Sequence, residues 1–135
     1  MRTARSRMPK NFSLEDRLAA CADAVESNPT AWAGQWRFRT PRAARAAADS
    51  AAPAMRDVPY ARVCLDLGCG KGEYTVACAK ADPDTLFVGL DIEGVCVMRG
   101  AERALAEGVE NAVFVFEEDP DLDLSTLFAL GELDA

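Results

Sequence analysis

The 135-residue sequence contains no histidine. That absence removes every Ser-His or Cys-His nucleophile arrangement. The five cysteines, Cys21, Cys64, Cys69, Cys78 and Cys96, form no C-x-x-C pair, so no metal site is expected. No apolar run approaches the roughly 20 residues that a membrane-spanning helix needs. The basic start MRTARSRMPK is not followed by the apolar stretch of a secretory signal. Cytoplasmic residence without a membrane partner is therefore expected, with the cysteines serving as reduced, small buried hydrophobes. Positive charge is also short: the net charge is -7. Residues 1–10 hold Arg2, Arg5, Arg7 and Lys10 without an acid, whereas residues 108–135 hold eight acids and no base. A protein that grips nucleic acid needs a basic footprint. Composition alone argues against tight RNA binding by these residues.

What is present fits one soluble α/β domain or less. Ser13 and Asp16 resemble a helix cap with an acid in the first turn, and Leu14, Leu18, Cys21 and Val25 recur at helical spacing. This predicts a helix of about three to four turns that ends before Asn28-Pro29. Trp32 and Trp36 share a face if their segment is helical. Packing of this extension onto the main domain is the simpler role for them, and stacking on a nucleobase is the competing one. The alanine-rich residues 43–54 read as a short helix or a linker, and we place the division between an N-terminal helical extension, 1–58, and the main domain, 59–135. Within the latter, Arg62–Leu67, Leu86–Ile92 and Ala112–Phe116 are short apolar runs separated by the helix-length segments GEYTVACAKA and EGVCVMRGAERALAE. The pattern predicts three parallel strands with crossover helices, a βαβαβ unit. Leu122–Leu130 is expected to form a third helix of this unit, with a fourth strand opening at Leu133.

The first strand leads into Asp66-Leu67-Gly68-Cys69-Gly70-Lys71-Gly72-Glu73. A dinucleotide fingerprint needs a third glycine where Glu73 stands. A phosphate-binding P-loop needs a glycine at Leu65 and a hydroxyl at Gly72. What remains, G-x-G-x-G with an acid two residues earlier, resembles the cofactor loop of class I methyltransferases. S-adenosylmethionine presents an ammonium, a carboxylate and a sulfonium but no pyrophosphate. Gly68 and Gly70 let the backbone approach its methionine portion, and Asp66 adds negative charge beside the cation. Asp91 ends the second strand, where a carboxylate can accept both ribose hydroxyls, or stand as a solvated strand-end acid. Ile92 lies either against the adenine or in the core. The acids Glu117, Glu118 and Asp119 follow the third strand, and one of them is expected to read the adenine amino group unless the loop is merely solvated.

Together with the RLAACADAVESNPTAWAGQW lead-in, Phe87-Val88-Gly89-Leu90-Asp91, Asn111, Leu127-Phe128 and Gly131-Glu132-Leu133-Asp134, the loop resembles the bacterial tRNA (guanine-N7)-methyltransferases from about Met8 onward. The resemblance implies an incomplete Rossmann-like class I methyltransferase fold, S-adenosylmethionine as cofactor and tRNA as substrate. It aligns Glu118 with the family's third cofactor acid without gaps, and Asp119 if one residue is inserted. Asp66 and Asp91 stand where that family usually has glutamate. The family continues into Asn-Phe-x-Asp-Pro-Trp-x-Lys, which these 135 residues do not include, so no catalytic residue is assigned. The expectation is the cofactor-binding portion of a longer enzyme, inactive alone and with the outer edge of its first strand unpaired. Another class I methyltransferase, acting on a small molecule or protein, and a non-catalytic binding module are the alternatives.

Overall fold

The computed structural model describes residues 12–40 and 55–134. The basic residues 2–10 and the alanine-rich stretch therefore lie outside the described residues, as does the start of the family resemblance.

Three parallel strands, β1 (Arg62–Leu67), β2 (Thr85–Asp91) and β3 (Ala112–Phe116), form one sheet in the order β1-β2-β3. Two helices join them, α2 (Glu73–Ala81) and α3 (Gly94–Ala106), preceded by a short α1 (Leu14–Ala20). Asp66 lies beside Gly89, and Asp91 beside Phe116, so the carboxyl ends of the strands are nearly level. The strands are apolar on both sides because both faces of the sheet are covered. On one face Val76, Ala79, Val97, Met98, Ala101 and Phe114 join Cys21 and Ala24 in a core. On the other, Val63, Leu86, Val88, Val113 and Val115 meet Trp32, Trp36, Leu127 and Phe128. The tryptophans thus pack the extension onto the domain, with ring centroids 6.2 Å apart and Trp36 stacked 5.4 Å from Phe128.

α1 is shorter than its periodicity predicts. It ends at Ala20 and tightens into a 3-10 turn, Ala22–Ala24, because the chain must next reach the outer edge of β3. There Val25 bridges Phe114, and the Glu26 N–H donates to the Phe114 carbonyl at 2.9 Å. The lead-in passes round this edge from the helical face to the tryptophan face. The expected helix over Leu122–Leu130 is also absent; Leu124–Thr126 forms only a 3-10 turn. Asp123 accepts from the Ser125 N–H and hydroxyl, a local bond that competes with helix. The Trp36 indole N–H takes the Leu127 carbonyl at 2.7 Å, an acceptor that a continuing helix would need.

The outer edge of β1 was expected to be unpaired; among the described residues it is paired at Val63 alone, where Asp134 satisfies both backbone groups. Its N–H donates to the Val63 carbonyl at 2.8 Å, and its carboxylate accepts the Val63 N–H at 2.9 Å. Glu132, just before it, is buried. Its carboxylate accepts the N–H groups of Gly34, Trp36 and Ala129 at 2.7, 3.0 and 3.0 Å. A buried carboxylate is tolerated because it is fully hydrogen-bonded. The Gly-Glu-Leu-Asp stretch is thereby tied both to the lead-in and to β1.

Phe114 fixes the spacing of the helical layer. A Cβ added at Gly100 would come within 2.6 Å of its ring, and one at Gly89 within 2.8 Å. We expect Gly100→Ala to cost about 1 to 3 kcal/mol, the usual range for overpacking. Urea unfolding should also show that Phe114→Leu in the Gly100→Ala background costs less than it does alone. Additive losses would mean that the helix moves aside instead.

Candidate functional site

The glycine turn lies at the carboxyl end of β1, where ligands bind open parallel sheets. Gly68, Gly70 and Gly72 have φ of 73°, 56° and 79°, a region that a Cβ strongly disfavours. Gly72 has a second constraint, since a Cβ there would lie 2.6 Å from the Gly100 backbone. The close packing that a dinucleotide fold obtains from its third glycine is obtained here one residue earlier. At Gly68 and Gly70 a Cβ would meet nothing within 4 Å. Their outer surfaces border open space.

Four amides of the turn are bonded internally. Gly68 and Cys69 N–H both donate to the Leu90 carbonyl, at 2.7 and 3.1 Å, and Gly72 N–H to the Cys69 carbonyl. Gly70 N–H donates to Asp91 Oδ2 at 2.9 Å. A phosphate cradle needs such groups free. Glu73, in the first turn of α2, further disfavours an anion. The turn instead offers small residues, Lys71 and nearby carboxylates, and the carboxylates suit a cationic ligand.

Asp66 is half-buried. Its Oδ2 accepts the Thr75 hydroxyl at 2.6 Å. Asp91 spans the turn and the start of α3, with Oδ1 accepting the Glu93 N–H at 2.9 Å while Oδ2 holds Gly70. Ile92 is 54% exposed, so it belongs to the rim and not the core. Beyond β3, the Glu117 N–H donates to the Asp91 carbonyl at 3.1 Å, which brings the acidic loop beside the end of β2. Glu117 and Asp119 fold back, accepting the N–H groups of Asp119 and Asp121. The Glu118 side chain has no such bond among the described residues. Sequence reasoning missed Thr75, whose only signal was a hydroxyl inside the otherwise apolar buried side of α2.

Cys69 is buried between these acids, and its thiol is pushed up to about 12, first by burial and then by the charges of Asp91 and Asp66. Burial, then Asp91 and Glu93, pushes Cys96 up as well. Both thiols are thereby shifted away from the thiolate, the nucleophilic form. Recesses of about 310 Å³, beside Tyr60 and Asn111 at the other end of the strands, and about 400 Å³, between α1 and Phe116, do not contain the glycine turn. The candidate site is an open ledge. Among the described residues no group of three or more His, Cys, Asp or Glu could hold a metal ion, and no helix is long and apolar enough to cross a membrane.

A family model described as "Putative methyltransferase" matches residues 60–134. The tRNA (guanine-N(7)-)-methyltransferase of Christiangramia forsetii is 53% identical over 53 residues, which are 39% of this chain and 24% of that protein. Its namesake from Porphyromonas gingivalis is 44% identical over 71 residues, 53% of this chain and 28% of that protein. A solved structure of a 30S ribosomal A1408 methyltransferase from an uncultured bacterium aligns at 31% identity over 46% of this chain and 32% of its own, with a TM-score of 0.41. The chain spans about a quarter of the length of the curated relatives it matches.

The burial of Cys69 can be tested without a ligand. At pH 8 a thiol held near 12 is thiolate only on the order of one part in ten thousand. Mass spectrometry after brief labelling with a thiol reagent should find Cys69 unmodified in the folded chain and fully modified in denaturant. Rapid labelling of the folded chain would contradict this placement.

Proposed function

The chain belongs to the putative methyltransferase family, and from that premise we propose that it is the cofactor-binding portion of an enzyme that methylates guanine N7 in tRNA, with S-adenosylmethionine as the methyl donor. The observation that carries the cofactor reading is the glycine turn. Its Gly68, Cys69, Gly70 and Gly72 amides are spent internally while Asp66 and Asp91 stand beside it, and Gly68 and Gly70 present open space where side chains would otherwise lie. These residues fit a ligand with an ammonium group and no phosphate. The tRNA substrate rests on the relatives' names and on the motif resemblance.

When bound, S-adenosylmethionine supplies a methyl group made electrophilic by its sulfonium. Gly68 and Gly70 would pass along the methionine portion, with Asp66 facing the ammonium. Asp91 would accept the ribose hydroxyls with its remaining lone pairs while still bracing Gly70. Ile92 would lie on the adenine, and Glu118 or Asp119 would receive its amino group. Guanine N7 carries a lone pair and no proton, so no strong general base is required. The protein's contribution is to orient two reactants in line and to stabilise their charges. Within residues 1–135 no side chain is assigned to the reacting atoms.

The test is transfer of labelled methyl from S-adenosylmethionine to tRNA by the full-length protein, with the product mapped to guanine N7. Transfer to a protein or small molecule alone would overturn the substrate assignment. In the same protein, Asp91→Ala should weaken cofactor binding by about 1.5 to 3 kcal/mol, the worth of hydrogen bonds to a charged group. Unchanged affinity in calorimetry would leave Asp91 with its loop-bracing role alone.

A further inference from the structure

We propose that Thr75 is a positioning residue for the cofactor's amino-acid end, acting through Asp66. The inference rests on the cofactor reading above and adds to it a residue that never touches the ligand. Thr75 is 0% exposed and sits in the first turn of α2. It shares the buried side of that helix with Val76 and Ala79. A buried hydroxyl in such company needs a partner, and it finds one across the helix–sheet boundary. The hydroxyl donates to Asp66 Oδ2 at 2.6 Å, within the range of strong bonds to a carboxylate.

A hydroxyl has one proton to donate. Spending it on Oδ2 fixes the rotamer of Asp66 and leaves Oδ1 for a second donor. The carboxylate is half-buried at the end of β1, beside a turn whose Gly68, Cys69, Gly70 and Gly72 N–H groups are already bonded elsewhere. Those four N–H groups do not reach Oδ1, so a ligand's ammonium group can supply its second donor. Aspartate is short, so its position depends on where β1 and α2 hold it. The Thr75 bond ties those two elements together at the point where the turn leaves the sheet.

The test compares Thr75→Val, which keeps the shape and removes the hydroxyl, with Thr75→Ser, which keeps the hydroxyl, both in the full-length protein. Calorimetry is done with two probes: S-adenosylhomocysteine, which has the amino-acid end, and 5′-methylthioadenosine, which lacks it. Thr75→Val should weaken S-adenosylhomocysteine about tenfold, in keeping with loss of a charge-assisted bond. Thr75→Ser should restore most of that loss. Neither change should alter binding of 5′-methylthioadenosine. If Thr75→Val does not fold, Thr75→Ala carries the same comparison. Equal weakening of both probes would reduce Thr75 to a packing role and overturn the inference, as would full S-adenosylhomocysteine affinity in Thr75→Val. A parent protein that binds neither probe would instead overturn the cofactor reading, and this inference with it.

Discussion

The ring of Phe114 occupies a slot that only glycines can provide, and the geometry of the site depends on it. Gly72 at the start of α2, Gly89 within β2 and Gly100 within α3 all present bare backbone to this ring. A side chain at any of them would push the turn or α3 away from the sheet. Because Gly72 also abuts Gly100, α2 and α3 are held against each other at the same point. That contact sets how far the Gly68–Gly70 turn stands from Asp91, and so whether the Gly70 N–H reaches its carboxylate. The same residue receives the lead-in, since its carbonyl accepts the Glu26 N–H. Phe114 therefore couples the entry of the chain, the helical layer and the site.

The opposite face is held by buried charge. Glu132 collects two backbone N–H groups from the distant tryptophan segment and a third from Ala129 nearby, and Glu26 pairs with Arg39 at 2.8 Å while both are nearly inaccessible. Buried ions contribute little net stability over a well-packed apolar alternative, but they are costly to leave unpaired. What they supply here is register. Glu132 can satisfy Gly34 and Trp36 only when the tryptophan segment lies against Leu127 and Phe128, the arrangement in which the Trp36 indole also reaches the Leu127 carbonyl. Residues 26–40 and 127–134 thus specify each other across almost the whole chain.

These long-range bonds mark the limit of what was legible in the sequence. β1 and β3 coincide with their apolar runs and β2 is displaced by one residue, because a strand covered on both faces writes its burial directly into composition. The glycine turn, Asp91 and the acidic loop fall at adjacent strand ends, as their spacing implies. The two helix errors share a cause. Periodicity over Leu14–Val25 and the run Leu122–Leu130 marked Cys21, Leu127 and Phe128 as buried, though Leu130 is exposed; that burial arose from contacts with the β3 edge and with Trp36, and those partners reward a departing chain over a continuing helix. Thr75 and the glycine slot were invisible for the same reason: their partners lie on other elements, and a lone threonine or glycine carries no period.

The distribution of charge limits how a nucleic acid could approach. Asp66 and Asp91 border the ledge, the acids 117–119 stand beside it, and residues 108–135 contain no base. A cationic methyl donor is drawn to such a surface, whereas a polyphosphate backbone is repelled within a Debye length of roughly 8 Å at physiological salt. Under the proposed function, a guanine would reach this ledge with its phosphates held away from these acids. The acidic ledge would then do two things at once. It would favour a sulfonium cofactor over its uncharged thioether product, and it would admit a nucleobase while holding off its backbone. Under the proposed function, the affinity for the cofactor would reside in these strand ends, and these acids would contribute none of the affinity for a polyphosphate substrate.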